Sequence, residues 1–175
     1  GNPGTGKTTL ARIIVNDILK CNYLYINASD ESGVDTIRHN ITNFAQTKSF
    51  DGQVKVVILD EADGLTTTAQ SALRNTMETF AKYCRFILTA NYKHKIIPAL
   101  QSRCQSLDLK PGIEQAVKRC YSILKYEKVN ISDEQKKKFI QLVKRYFPDL
   151  RKTTNELQKS VIDSVLTIAS NGSDN

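Results

Sequence analysis

The feature that most constrains the fold is the opening stretch GNPGTGKTT together with the helical pattern that follows it. A glycine-rich loop ending in Lys-Thr fits G-x-x-x-x-G-K-[ST], in which backbone N–H groups surround phosphate oxygens. Residues 8–20 then place four apolar side chains at helical spacing, namely Ala11, Ile14, Val15 and Ile18. Because a helix N-terminus favours an anion, loop and helix together predict a nucleotide-phosphate site.

Each residue type in this loop has a chemical reason to be there. Gly1, Gly4 and Gly6 permit backbone conformations that other residues rarely adopt. Lys7 is expected to reach the β- and γ-phosphates of ATP, and the Thr8 hydroxyl to ligate Mg²⁺. The predicted nucleotide contacts cover the whole loop: Gly1, Asn2, Pro3, Gly4, Thr5, Gly6, Lys7, Thr8 and Thr9. A chance glycine turn before a helix is the alternative, and it requires four fixed positions to coincide by accident.

Strand and helix patterns alternate along the first 110 residues. Short apolar or β-branched runs predict strands at 23–27, 54–60 and 84–91, with a weaker candidate at 105–109. Helical patterns lie between them, at 35–47, 67–82 and 96–102. This alternation predicts an α/β domain with a parallel sheet covered on both faces.

Beyond Lys110-Pro111-Gly112 the pattern predicts only helices. One covers 113–128, and Ser132 with Gln135 predicts a capping box for a second helix that Pro148 ends. Asp149 is expected to cap a last helix that continues through Val161. We therefore predict a sheet domain at 1–110, a small helical lid domain at 111–170 and a polar tail at 171–175.

The stretch VKVVILDEAD, at 54–63, places two acids where an apolar strand ends. The carboxyl edge of a parallel sheet is where ligands bind, so Asp60 is expected to hold Mg²⁺ and Glu61 to polarise an attacking water. Asn91 ends the next predicted strand and could orient the water or contact the γ-phosphate. Alternatively, the acids simply mark a strand that ends at the surface, and Asn91 is an ordinary turn former.

Composition narrows the class of protein. The four cysteines are scattered without a C-x-x-C pair, so neither a zinc site nor a disulfide framework is indicated. No apolar run approaches a membrane span, and no signal-peptide pattern is present, so we expect a soluble intracellular protein. A net charge of +7 favours a polyanionic partner, although the run Lys136, Lys137 and Lys138 is typical of a solvated helix face.

Four stretches together resemble the small subunits of clamp loaders, AAA+ ATPases of the replication factor C type that include the bacteriophage versions. They are GNPGTGKTT, NASD at 27–30, VVILDEADGLTTTAQSALRNTME at 56–78 and RFILTANYKHKIIPALQSRC at 85–104. The resemblance extends from Gly1 to about Gln158. Its motifs are specific, because ANY followed by IIPALQSRC is far narrower than the phosphate loop alone.

The resemblance implies roles for residues that composition alone would leave as surface side chains. Asn91 matches the sensor 1 asparagine, Arg103 in SRC matches the arginine finger that enters a neighbouring subunit's ATP site, and Arg151 in PDLRKTTNELQ matches the sensor 2 arginine. Gln70 matches a switch-like glutamine, and Arg74 retains a family arginine, which suggests a role in DNA contact or coupling. The implied partners are a five-membered ring of subunits, a sliding clamp and primer-template DNA.

The sequence departs from the family pattern at two positions. Ser32 comes after NASD and the next acid, Glu31, at a position where a basic coupling residue is usual, and Asn75 stands where a second arginine is common. The family also has a strand before the phosphate loop and a helical collar after the lid, so the chain is expected to be a fragment. The resemblance also implies a location in the cytoplasm of a bacterial host, or in the nucleus if the host is eukaryotic.

Two alternative functions remain open from the sequence. Another AAA+ motor, such as a Holliday-junction helicase subunit or a protein remodeler, would share the phosphate loop and the acid pair Asp60 and Glu61. A scaffold subunit of a clamp loader would bind its neighbours without hydrolysing ATP. SRC after IIPALQ disfavours the first alternative, and the intact Lys7 and acid pair disfavour the second.

Overall fold

In a computed structural model, which describes residues 1–30, 33–47 and 54–168, the chain forms two units. The first unit consists of Gly1 and Gly6–Asp108, and the second of Asn2–Thr5 and Leu109–Asn175. Residues 169–175, which include the predicted polar tail, lie outside the described part of the chain.

The first unit contains a parallel three-stranded sheet in the order β1-β2-β3, with β1 at Tyr23–Asn27, β2 at Lys55–Asp60 and β3 at Cys84–Leu88. Its helices are α1 at Lys7–Ile13, which continues as a π-helix at Ile14–Ile18, α2 at Val34–Gln46, α3 at Thr67–Phe80 and α4 at Pro98–Gln101. Short 3₁₀ turns occupy Ala62–Gly64 and Lys93–Lys95.

The central strand β2 is buried along its whole length, as expected for a parallel strand covered on both faces. Its side chains alternate between two cores. Val57 and Leu59 belong to the cluster that includes α2 and α3, whereas Val56 and Ile58 pack with Ala11 and Val15 of the first helical segment. The sheet with helices on both faces confirms the predicted α/β fold.

Three details of the first unit differ from the sequence prediction. Ile18 was expected in the core but is 68% exposed, because the π-helix takes more residues per turn and moves position i+7 away from Ala11. The third strand ends at Leu88 instead of Asn91. Residues 105–109 form no strand, and Leu107 is 75% exposed, so the weak apolar alternation there has no partner strand to pack against.

The part of the second unit up to residue 168 contains three helices: α5 at Ile113–Tyr126, α6 at Asp133–Tyr146 and α7 at Leu150–Lys159. Their shared core consists of Ala116, Cys120, Leu124, Phe139, Val143, Leu157 and Leu166. Ser132 and Asp149 cap α6 and α7, accepting bonds from Gln135 N at 3.3 Å and Lys152 N at 2.9 Å. Only this half of the predicted capping box is observed, because the Gln135 side chain instead accepts from Ile168 N at 3.0 Å.

The second unit is not entirely helical, contrary to prediction. A hairpin pairs β4 at Val161–Ile162 with β5 at Val165–Leu166, so Val161 lies in a strand and not in the last helix. Its turn residues, Asp163 and Ser164, both have positive φ. Hairpin turns with this geometry usually contain Asn-Gly or Asp-Gly. The sequence Asp-Ser lacks the glycine, so the turn was not predicted.

Within residues 1–30, 33–47 and 54–168, no helix is both long and apolar enough to cross a membrane.

Candidate active site

The glycine-rich loop turns into α1 through left-handed backbone at two positions. Gly4 has φ 71° and Gly6, the residue before α1, has φ 88°. The Lys7 ammonium donates to the Gly1 carbonyl at 3.0 Å, and the Thr5 hydroxyl donates to the Asn2 carbonyl at 2.9 Å. The first N–H groups of a helix have no partner within it, so the turn presents donors suited to phosphate oxygens.

Gly4 belongs to the second unit and contacts other residues of that unit. Leu150 N donates to the Gly4 carbonyl at 3.1 Å. A Cβ added to Gly4 would lie 1.9 Å from Asp149 Oδ1, closer than any real contact. Glycine at this position is therefore required both by the positive φ and by the available space.

Three hydroxyl groups converge on the carboxylate of Asp60, which is only 6% exposed. Thr8 Oγ1 lies 2.9 Å from both carboxylate oxygens, Tyr25 donates to Oδ2 at 2.7 Å, and Thr89 donates to Oδ1. Burial alone would raise the pKa of Asp60, but these hydrogen bonds and the Arg12 guanidinium outweigh it and lower the pKa from 3.8. Asp60 is therefore ionised at neutral pH.

The donor set at this point fits Mg²⁺. The Thr8 hydroxyl and the Asp60 carboxylate supply oxygen atoms, the ligands that this hard cation prefers. Mg²⁺ is usually held by one or two carboxylates together with waters and substrate phosphates. Thr8 and Asp60 are therefore the residues of this chain that could hold the ion.

Glu61 follows directly after β2 and adopts a left-handed backbone conformation, with φ 55°. Its carboxylate accepts a hydrogen bond from the Ser29 hydroxyl at 2.7 Å. Its N–H donates to the Thr89 hydroxyl at 3.1 Å, so Thr89 contacts both acids. The turn thus directs the carboxylate of Glu61 to a different side from the buried Asp60.

Asn91 lies three residues beyond the end of β3, and Asp63 fixes the backbone there. The two carboxylate oxygens of Asp63 accept from Asn91 N at 3.2 Å and from Tyr92 N at 3.1 Å. Asp63 therefore orders the segment that carries the predicted sensor residue.

Arg103 is paired with an acid of its own unit and not with the acids at the end of β2. Its Nη2 forms an ion pair with Glu78 Oε1, and its side chain remains 42% exposed. Arg74 Nη2 donates to Asn75 Oδ1 at 2.8 Å, so Asn75, which departs from the family pattern, engages the retained arginine.

Gln70 is buried, with 2% exposed, and links two parts of the first unit. Its Nε2 donates to the carbonyls of Leu65 at 3.1 Å and Lys95 at 2.9 Å, and its Oε1 accepts from Ile97 N at 2.8 Å. A side chain this deeply buried cannot contact DNA directly. Of the two predicted roles of Gln70, DNA contact or coupling between DNA and the ATP site, only coupling therefore stays a prediction.

In the second unit, Arg151 is the second residue of α7 and is exposed. Ser32, the other departure from the family pattern, lies outside the described residues.

Sequence reasoning missed Tyr25, Ser29, Asp63 and Thr89. Only the register could have identified Tyr25: Asn27 is paired with Asp60 and Tyr25 with Ile58, which makes Tyr25 the diagonal neighbour of Asp60. The other three are short polar side chains in or beside turns, without a pattern of their own.

Comparison with known proteins agrees with this geometry. Residues 1–111 match the family described as "ATPase family associated with various cellular activities (AAA)". Residues 108–167 match "Sliding-clamp-loader large subunit, AAA+ ATPase lid domain". The chain is 42% identical over 164 residues to the replication factor C small subunit of Methanococcus vannielii, covering 90% of this chain and 51% of that protein. The chain belongs to the AAA family of ATPases.

Two further replication factor C subunits show similar agreement. The small subunit of Archaeoglobus fulgidus is 43% identical over 90% of this chain and 50% of its own length. Replication factor C subunit 3 of Saccharomyces cerevisiae is 40% identical over 94% of this chain and 50% of its own. The chain thus spans about half the length of these relatives. The matches confirm the clamp-loader resemblance and the AAA+ fold followed by a lid domain.

Proposed function

We propose that this chain is an ATPase subunit of a sliding-clamp loader, which uses ATP binding and hydrolysis to load the clamp of a DNA polymerase onto primer-template DNA. The observation that carries the proposal is the contact between the phosphate loop and the acid pair: Thr8 donates to the ionised, buried Asp60, and Glu61 follows it in the chain. The names of the relatives and of the lid family supply the biological context.

ATP would bind with its phosphates on the N–H groups of the loop and of the start of α1. Lys7 would turn its ammonium from the Gly1 carbonyl, now 3.0 Å away, to the β- and γ-phosphates. Thr8 and Asp60 would hold Mg²⁺, which would neutralise the charge that develops on the phosphates. The low pKa of Asp60 keeps the carboxylate charged for this role.

Glu61 would act as the general base that orients the attacking water. Ser29 donates to one of its oxygens at 2.7 Å, and a carboxylate has about four acceptor sites, so capacity for water remains. General-base catalysis of this kind contributes about 10²- to 10⁴-fold.

Two residues would respond to the γ-phosphate. The Asn91 amide would contact the phosphate or the water from the segment that Asp63 orders. Arg151 would contribute its guanidinium from the N-terminal end of α7. Both roles are carried over from the family motifs.

Arg103 would complete the ATP site of a neighbouring subunit in a five-membered ring. Its partly exposed guanidinium pairs with Glu78 in the present chain, which is consistent with a residue that acts on another molecule. A finger of this type is worth about 10³ to 10⁵ in rate.

DNA and the clamp would be the macromolecular partners. The net charge of +7 favours a polyanion, and contacts to phosphates hold DNA with little sequence preference. Arg74 is the candidate for direct contact and the buried Gln70 for coupling. A protein with this proposed function would act in the compartment where DNA is replicated.

Substitutions in the full-length protein, assembled with its partner subunits, clamp and primed DNA, test the proposal. Glu61→Gln should keep ATP binding and lose about 10²- to 10⁴-fold in steady-state hydrolysis. Arg103→Ala should bind ATP normally but abolish turnover at the adjoining site. Arg119→Ala, which removes an exposed arginine of α5, is the control and should leave hydrolysis unchanged.

Normal turnover by the Arg103→Ala assembly would refute the contribution in trans. Unchanged hydrolysis with Glu61→Gln would instead indicate a scaffold subunit that binds its neighbours without hydrolysing ATP itself.

A further inference from the structure

Arg103 follows a helix, α4, that is too short to be stable by itself. Helix α4 has four residues, Pro98–Gln101, and a single helical turn is unstable without tertiary contacts. Its Leu100 is fully buried in the core cluster that contains Leu73 and Met77 of α3. The position of Arg103 therefore depends on how α4 is held against α3.

Polar contacts from α3 support both ends of α4. Near the start of α3, Gln70 accepts from Ile97 N, the residue just before α4, at 2.8 Å. Eight residues later in α3, Glu78 forms the ion pair with Arg103 beyond the end of α4. Gln70 and Leu100 therefore fix the backbone of α4, and Glu78 engages the side chain that follows it.

The Glu78 contact leaves part of the guanidinium available. A guanidinium has five N–H donors in a planar fork, and Glu78 is contacted through Nη2 of Arg103. Arg74 lies on the same side of the carboxylate, with its Nε 3.9 Å from Glu78 Oε1. Two cations thus face one anion, and the cluster of Arg74, Glu78 and Arg103 keeps a net positive charge towards solvent.

We propose that Glu78 is the positioning residue for Arg103: its carboxylate holds Nη2 and orients the guanidinium towards the γ-phosphate bound by a neighbouring subunit. This inference rests on the proposed function, since it requires that Arg103 act in trans. Glu78 does not touch the nucleotide and acts only through Arg103.

The solvent exposure of the Arg103–Glu78 ion pair limits how much its loss should reduce turnover. The side chains of Arg103 and Glu78 are 42% and 43% exposed, so solvent screens the attraction. Ion pairs of this kind contribute about 0.2–1 kcal/mol. Loss of the pair should therefore leave the fold stable and lower turnover by roughly 1.4-fold to fivefold, because a factor of ten corresponds to about 1.4 kcal/mol.

The first experiment compares Glu78→Gln with wild type in the reconstituted full-length assembly. We expect kcat to fall about 1.4-fold to fivefold, with unchanged KM for ATP and unchanged thermal stability, and Glu78→Asp to recover part of the loss. Glu134→Gln is the matched control, since Glu134 is an exposed helical acid paired with Lys138 at 3.3 Å. It should leave kcat unchanged.

The second experiment measures the thermal stability and the ATP affinity of Glu78→Gln in the Arg103→Ala background, where neither should fall further. A further loss there would mean a general structural role and would overturn the inference. A rise in kcat for the single Glu78→Gln variant would mean that Glu78 restrains Arg103, which also overturns it.

The two proposals fail in different ways. If Arg103→Ala keeps full turnover, the contribution in trans fails, and with it the role of Glu78. If Arg103→Ala abolishes turnover while Glu78→Gln leaves kcat unchanged, only the inference about Glu78 is wrong.

Discussion

Replacement of Gln70 by leucine should strongly destabilise the first unit, although it preserves the approximate size of the side chain. Gln70 makes three hydrogen bonds to backbone groups, at Leu65, Lys95 and Ile97, and is 2% exposed. Leucine would leave two carbonyls and one N–H without this partner in a buried setting. The substitution therefore tests whether a polar side chain holds the segment before α4.

The expected magnitude follows from the three bonds. Each contributes about 0.5–1.5 kcal/mol net, so their loss should lower the free energy of unfolding by about 1.5–4.5 kcal/mol. For a domain of about 100 residues, each kcal/mol shifts Tm by about 4–8 °C. We therefore expect a fall in Tm of at least about 6 °C.

Circular dichroism during thermal and urea unfolding measures this effect. Gln158→Leu is the matched control, because Gln158 is an exposed glutamine on α7, where substitutions change stability by about 0.5 kcal/mol or less. If Gln70→Leu and Gln158→Leu unfold at the same temperature, the bonds of Gln70 do not stabilise the fold and the argument is refuted.

Two further predictions concern the acid cluster and the lid. The folded pKa of Asp60 lies below 3.8, so its ionisation stabilises the fold above about pH 4 and this contribution is lost as pH falls through 3.8 towards the folded pKa. The difference in urea midpoint between wild type and Asp60→Asn should therefore shrink on acidification; a difference independent of pH would contradict the assignment. Leu157→Ala should lower lid stability by about 2–5 kcal/mol in urea unfolding, because Leu157 is 3% exposed in the core of the second unit, and a loss below about 1 kcal/mol would contradict that packing.

Long patterns in the sequence predicted the first unit well. The apolar run at 54–60 became β2 at Lys55–Asp60, since a buried parallel strand needs continuous apolar residues. Short patterns were less informative. The hairpin β4–β5 has only two residues per strand, and the run at 105–109 had alternation without a partner strand. The π-helix, which moved Ile18 out of the core, has no signature in apolar spacing.

The candidate site divides in the same way. The loop and the acids Asp60 and Glu61 are local motifs, and the contact between Thr8 and Asp60 agrees with their predicted partnership. Tyr25 and Thr89 reach Asp60 only through the pairing of strands far apart in the sequence. For Arg103 and Arg151, the residues alone predict solvated side chains, and only the family motif gives them a role.

The left-handed backbone of Glu61 has an evolutionary consequence. A side chain at positive φ costs about 1 kcal/mol or more that glycine avoids. Selection for stability alone would therefore favour replacing the glutamate, and under the proposed role of Glu61 as general base, selection for turnover would oppose the replacement. Paralogues that do not hydrolyse ATP should more often have glycine or asparagine at this position. Their Tm should also be higher than that of paralogues that hydrolyse ATP.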